Sequence, residues 1–214
     1  MPTGSLRERK KAQTRERLMT VAVQLFAKQG FDATTIDEIA AAAEVAPRTV
    51  FRYFPSKVDL LFGDHKNFVA LLRETLATRP PGEPVLDAVR RASLAWIDRV
   101  SSNPSLFLVR SRLAASVPEA HAHSRYLDAE FENLIADAFA ATRETDPATD
   151  LEARMLARTA WAATRAARDV WMATEQDPRA LVNQAFDYVE RAFQPPVPSK
   201  QAKARPRRRA TRDT

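Results

Sequence analysis

The chain has 214 residues, with 33 Lys and Arg against 27 Asp and Glu, no Cys, 4 Gly and 14 Pro. That length fits one large domain or two small ones, and an apolar fraction of 45% is enough to fill a core. The lack of cysteine excludes a disulfide framework, thiolate catalysis and Cys-ligated zinc, and no apolar run approaches the roughly 20 residues of a membrane span, so a cytoplasmic protein with no membrane partner is expected.

No glycine follows Gly82, which leaves most of the chain without the residue that turns β-hairpins. An all-α fold of about nine helices is expected. The net charge of +6 is unevenly placed: residues 198–214 hold seven basic groups and one acid, so everything before them sums to zero. A segment of that charge density, with few apolar side chains, predicts a disordered basic tail over 196–214. Residues 1–14, with Arg7, Arg9, Lys10 and Lys11, read as a basic flexible arm suited to phosphates or a minor groove.

From Arg15 the residues Leu18, Val21, Ala22, Leu25 and Phe26 form a helical stripe that stops at Gly30. Thr35-Ile36-Asp37-Glu38 is a capping box for a short helix to Ala43, and Pro47 suits the first turn of another through Phe54. A longer helix runs from Lys57 to Thr78, ahead of the break Arg79-Pro80-Pro81-Gly82. Further helices are predicted over Val85–Ser102, Ser105–Ala115, Ser124–Thr142, Pro147–Thr174 and Pro178–Phe193. Asn103-Pro104, Asp146-Pro147 and Asp177-Pro178 each set a capping side chain before a first-turn proline.

Two short helices joined by a tight turn, after a longer one and beside basic residues, are the ingredients of a helix-turn-helix reader. Residues 13–62 resemble the DNA-binding domain of the TetR/AcrR family of bacterial repressors. The resemblance rests on Leu25-Phe26-Ala27 with Gly30-Phe31, on Thr34 to Ala40, and on Ala43 to Lys57. It divides the chain into a DNA-binding domain over 15–57 and a ligand-binding and dimerisation domain over 58–195.

On a recognition helix starting near Pro47, Arg48 and Arg52 are four apart and share a face, which suits guanine readout in a major groove. The resemblance implies that Thr49, Phe51, Tyr53, Lys57, Thr34 and Thr35 also face DNA, mostly its backbone, with Arg9, Lys10 and Lys11 alongside. Two positions depart from the family pattern. Glu44 stands where the turn usually has Gly, which requires a positive φ at a non-glycine residue or a different turn, and Ala46 stands where a Ser or Thr cap is usual.

The resemblance also implies a homodimer and a pocket for a small hydrophobic molecule, such as a fatty acyl chain or a drug. Large side chains on the later helices are candidate lining: Phe68, Leu72, Trp96, Phe107, Leu108, Phe131, Leu134, Ile135, Trp161 and Met172, with Arg112, Arg165, Arg168 and Asp169 to orient a polar head. The alanine-rich stretch with Ala160, Ala163 and Ala167, and the stripe Leu181, Val182, Ala185, Phe186 and Val189, suit half of a four-helix dimer seam, with the core of one subunit as the alternative.

No cofactor or metal is expected, since His121 and His123 diverge on a helix and only His65 remains. Enzyme activity fares poorly, because no nucleophile, base and orienting group assemble and no Gly-rich phosphate loop exists. The sequence therefore points to a ligand-responsive repressor on a pseudo-palindromic operator, nucleoid-associated when bound. A non-specific DNA-coating protein and a transcriptional activator are the alternatives.

Overall fold

In a computed structural model the chain is described over residues 5–63, 65–174 and 176–193. The tail expected from residue 196 and residues 1–4 of the arm lie outside that span. Among the described residues, nine α-helices and one 3-10 segment follow one another with no strand between them, and no helix is long and apolar enough to cross a membrane. The order is α1 (Leu6–Gln29), α2 (Ile36–Ala42), α3 (Pro47–Tyr53), the 3-10 segment (Val58–Phe62), α4 (His65–Ala77), α5 (Val85–Val100), α6 (Pro104–Ser116), α7 (Pro118–Ala141), α8 (Leu151–Ala173) and α9 (Pro178–Phe193).

The first helix starts well before Arg15. The Ser5 hydroxyl accepts from the Glu8 amide at 3.3 Å, and the Glu8 carboxylate accepts from the Ser5 amide at 2.9 Å, a capping box that replaces most of the expected flexible arm with helix. Residues 6–13 are exposed on every side, so no apolar stripe announces their helix.

Local chemistry fixes the other boundaries. Glu44, between α2 and α3, has φ +51°, the left-handed conformation its place in the turn demands. Ala46 caps α3 without a side-chain bond, and Pro47 takes the first turn. Asn103 accepts from the Leu106 amide at 3.2 Å, and Asp177 from the Arg179 amide at 3.1 Å. Pro118 in the first turn starts α7 ahead of the expected Ser124. Asp146 bonds only within its own turn, to the Ala148 amide at 2.8 Å. The cap of α8 is Asp150, at 2.8 Å from the Ala153 amide, and the Thr145 hydroxyl, that amide and Arg143 together hold its carboxyl down to about 2.

Two apolar clusters organise the molecule. In the first, Leu18, Phe26, Ile39, Val50 and Phe54 of α1 to α3 and the residue after them are joined by Val58, Leu60 and Leu61 of the 3-10 segment and by Ala120 of α7. Leu113, Ala114 and Val117 pack on it from the α6–α7 corner. The reader's core thus crosses the boundary expected at residue 57. The second cluster fills the space among α4, α5, α7, α8 and α9, around Phe68, Leu72, Trp96, Ile135, Trp161 and Phe186.

The expected dimer-seam residues belong to that second cluster. Ala160, Ala163, Ala167, Leu181, Val182, Phe186 and Val189 are buried in it, and Ala185 packs partly buried against it. The small side chains bring α8 close to its own neighbours α7 and α9, so the apolar stripe is an inner face.

Strain at the α2–α3 turn is testable. A left-handed conformation costs a non-glycine residue about 1–2 kcal/mol, and a missing helix cap about 1 kcal/mol. Glu44→Gly and Ala46→Ser should each raise the melting temperature by about 2–4 °C. An unchanged or lower value for Glu44→Gly in thermal denaturation would show the turn to be unstrained.

Candidate nucleic-acid interface and adjoining cavity

The two turns of α3 bury Val50, with Phe54 just beyond. Arg48, Phe51 and Arg52 stand on the opposite side, and Phe51 keeps 52% of its surface open. The Arg52 guanidinium rests 5.2 Å from the centre of the Tyr53 ring, while Thr49 and Tyr53 are half-buried at the edges of this face. Arg9, Lys10 and Lys11 are exposed on the opening turns of α1. Thr35, exposed at the start of α2, donates to the Glu38 carboxylate at 3.0 Å and accepts from the Glu38 amide at 3.2 Å. The Thr35 amide, then Gln29 and the Thr35 hydroxyl, hold the Glu38 carboxyl below its ordinary value. Two guanidinium groups on one exposed helical face match the acceptor pair that guanine offers in a major groove.

Two residues expected at DNA are engaged elsewhere. Thr34 is buried, and its hydroxyl donates to the Gly30 carbonyl at 2.7 Å. The Lys57 ammonium donates to the carbonyls of Phe31 at 2.8 Å, Thr34 at 3.1 Å and Asp32 at 3.3 Å, and lies 4.4 Å from the centre of the Phe31 ring. An ammonium has three donors, and here all three hold the α1–α2 loop to the segment that follows α3.

Sequence reading missed Arg15. Its guanidinium donates to the carbonyls of Tyr53 at 3.0 Å and Gly63 at 2.9 Å and lies 4.3 Å over the Phe54 ring, so it ties α1 to the end of the recognition helix. The one available signal is its place three residues before Leu18, on the inner face. Gly63 lies beside it, where a Cβ would come within 1.7 Å of the Met19 sulfur and force that side chain to move.

Behind the reader a cavity of about 570 Å³ opens among α4 to α8. Phe68, Trp96, Phe107, Phe131, Trp161, Arg165, Arg168, Asp169 and Met172 line it, whereas other expected lining residues do not. Leu72 and Ile135 are fully buried in the core behind it, Leu108 and Leu134 pack partly buried on that core, and Arg112 donates to the Met172 carbonyl at 3.3 Å from outside. Helical periodicity marks the inward face but does not separate core from cavity wall. The rings are stacked in pairs, Phe68 on Trp96 with centres 4.9 Å apart and Phe131 on Trp161 at 4.0 Å.

Polar lining not anticipated includes His65, Arg110, His121, Arg125 and Asp128. Asp128 accepts from the Trp161 indole at 2.9 Å and from Arg165 at 2.6 Å. His121 and His123 do diverge: the ring of His121 meets the Ala115 carbonyl at 2.7 Å, and that of His123 meets Asp59 at 3.2 Å. Asp59 also accepts from the Ser56 amide at 2.8 Å, and His65 lies 2.7 Å from Glu130, so α7 is tied to the stretch that follows the reader. Phe107 and Arg110 of α6 face both this cavity and a crevice of about 210 Å³ in which Arg15 and Met19 of α1 lie.

A family model described as bacterial regulatory proteins, tetR family, matches residues 18–62, and one described as the MftR C-terminal domain matches residues 83–194. The protein named as mycofactocin biosynthesis transcriptional regulator MftR, from Mycobacterium tuberculosis (strain ATCC 25618 / H37Rv), is 32% identical over 190 residues, spanning 88% of this chain and 96% of its own. The chain belongs to the TetR family. It is accordingly a DNA-binding transcriptional regulator and not an enzyme. The same fold is seen in the SmeT–triclosan complex, at a TM-score of 0.62 and 16% identity over 84% of this chain and 91% of that one. Thermus thermophilus FadR in complex with lauroyl-CoA also has it, at 0.57 and 23% over 86% and 98%.

For this TetR-family chain, Lys57→Ala strips three carbonyls of their donor, a loss of about 1–3 kcal/mol. The melting temperature should fall and operator affinity should drop, while the slope of log affinity against log salt stays as it was, since no phosphate contact is lost. A slope shallower by about one charge at an unchanged melting temperature would return Lys57 to the DNA backbone.

Proposed function

We propose that this protein is a homodimeric repressor that binds a pseudo-palindromic operator and leaves it when a small, largely apolar molecule enters the cavity behind the reader. One observation carries the reading: cavity wall and reader core share residues. Leu61 is buried in the reader's apolar cluster, Phe62 and Ala114 pack against it, and all three line the cavity. A molecule that moves α6 or the 3-10 segment therefore moves the surface against which α3 is held. Gly63 and Tyr53, which share the Arg15 guanidinium, carry that shift to the end of the recognition helix.

Two readers must meet successive major grooves about 34–36 Å apart, so a small rotation of each is enough to spoil the match. By linkage the ligand binds free protein more tightly than operator-bound protein. Solved proteins of the same fold with triclosan or lauroyl-CoA support a pocket of this kind. A DNA-coating protein has no need of such coupling.

The second copy would dock on the outer faces of α8 and α9. Met155, Ala162, Ala166 and Val170 recur along α8 on the side away from its buried residues, with Met155 53% and Val170 40% exposed, and Tyr188 of α9 is 57% exposed. Exposed apolar side chains at that spacing are what a self-complementary interface buries.

Binding selection from random DNA, with and without Arg52→Ala, tests the reader. The substitution should relax preference at one base pair in each half-site, by about 1–3 kcal/mol, and an equal loss on all sequences would remove Arg52 from base readout. Light scattering tests the seam: Met155→Glu with Val170→Glu should yield monomers that bind the operator weakly, whereas a persisting dimer would place the interface elsewhere.

A further inference from the structure

The cavity wall carries both aromatic rings and charged side chains, and arginines outnumber aspartates along it. Along α7, His121, Ser124, Arg125 and Asp128 share one helical face, and along α8 Arg165, Arg168 and Asp169 do so, with both faces turned to the same space. On these two faces three arginines stand against two aspartates, which leaves one positive charge. Both aspartates are already engaged, Asp128 by Trp161 and Arg165, and Asp169 by Arg168 at 2.8 Å. Arg125 is exposed at the mouth, and no hydrogen bond or ion pair holds it among the described residues. The stacked pairs Phe68–Trp96 and Phe131–Trp161 line the same space, with the Trp161 indole next to Asp128.

From this arrangement we infer that the molecule taken up is an amphipathic carboxylate. Its head sits at the mouth with Arg125, Arg165 and Arg168, and its apolar body lies against the four rings. A cation meets a wall whose carboxylates are already neutralised by partners, and it faces a net positive field. A neutral body gains the rings but leaves the Arg125 guanidinium without the acceptor that a carboxylate supplies. The volume of about 570 Å³ suits a ligand of drug size. This assignment rests on the cavity being the regulatory site proposed above.

The experiment compares one tail under three heads. Dodecanoate, 1-dodecanol and dodecyltrimethylammonium, each below its micelle concentration, are titrated into the full chain and read by the fluorescence of Trp96 and Trp161 in the cavity wall. The acid 2-naphthoate repeats the anionic arm with an aromatic body. Dodecanoate or 2-naphthoate should bind about tenfold or more tightly than the alcohol and the ammonium. Arg125→Gln should weaken the carboxylates about tenfold and leave the alcohol unchanged, and Arg125→Glu should shift preference toward the ammonium.

The alcohol or ammonium matching the carboxylates, or no carboxylate binding at about 1 mM, would overturn the inference. So would an Arg125→Gln variant that keeps its melting temperature and its carboxylate affinity. Release from selected operator DNA is scored separately. Carboxylate selectivity without release upholds the ligand class and defeats the regulatory reading, whereas release by the alcohol does the reverse.

Discussion

With α2 and α3 only seven residues each, the first three helices close little of an apolar core by themselves, because a unit of that size leaves much of its surface in water. The missing wall comes from further along the chain. Leu60 and Leu61 of the 3-10 segment, Leu113, Ala114 and Val117 at the α6–α7 corner, and Ala120 at the start of α7 complete the packing around Phe26, Ile39, Val50 and Phe54. The proposed regulation depends on this borrowing. The residues that cover the reader brace its orientation, and two of them, Leu61 and Ala114, also line the cavity.

Polar contacts then fix what apolar packing only brings together. Arg15 and Lys57 act as internal tethers, one holding the end of α3 and the other the loop ahead of α2. The two histidine–carboxylate contacts, His65–Glu130 and His123–Asp59, bind α7 to the stretch that follows α3. Charges that remain exposed are arranged differently. Arg48 and Arg52 present a cationic edge on the recognition helix, Arg9, Lys10 and Lys11 are exposed on α1, and the cavity mouth carries a separate cluster.

Much of this was legible in residue order. Helix starts marked by Asn103-Pro104 and Asp177-Pro178 are local events, settled by one side chain and one amide, and so is the positive φ at Glu44. What stayed hidden was anything that depends on the partner across a gap. Thr34 and Lys57 have the chemistry of phosphate contacts, yet the fold turns one inward and surrounds the other with carbonyls. The inner face of α8 shows the small-residue pattern of a seam, and only burial tells that the seam is intramolecular. Leu72 and Phe68 share a helix and an apolar character, but only Phe68 reaches the cavity. The opening of α1 escaped for a different reason: a helix exposed all round has no periodicity to read.

Pro104, Pro118 and Pro178 all stand in first turns, and no glycine occurs anywhere after Gly82. The helices beyond α4 therefore contain none of the usual hinges, neither a proline gap in the hydrogen-bond ladder nor a residue with a soft backbone. They behave as rods. In the proposed regulation, a molecule entering the cavity would be answered by helices sliding or pivoting as whole bodies on their loops, so the information passed to the reader would be a change of position and angle.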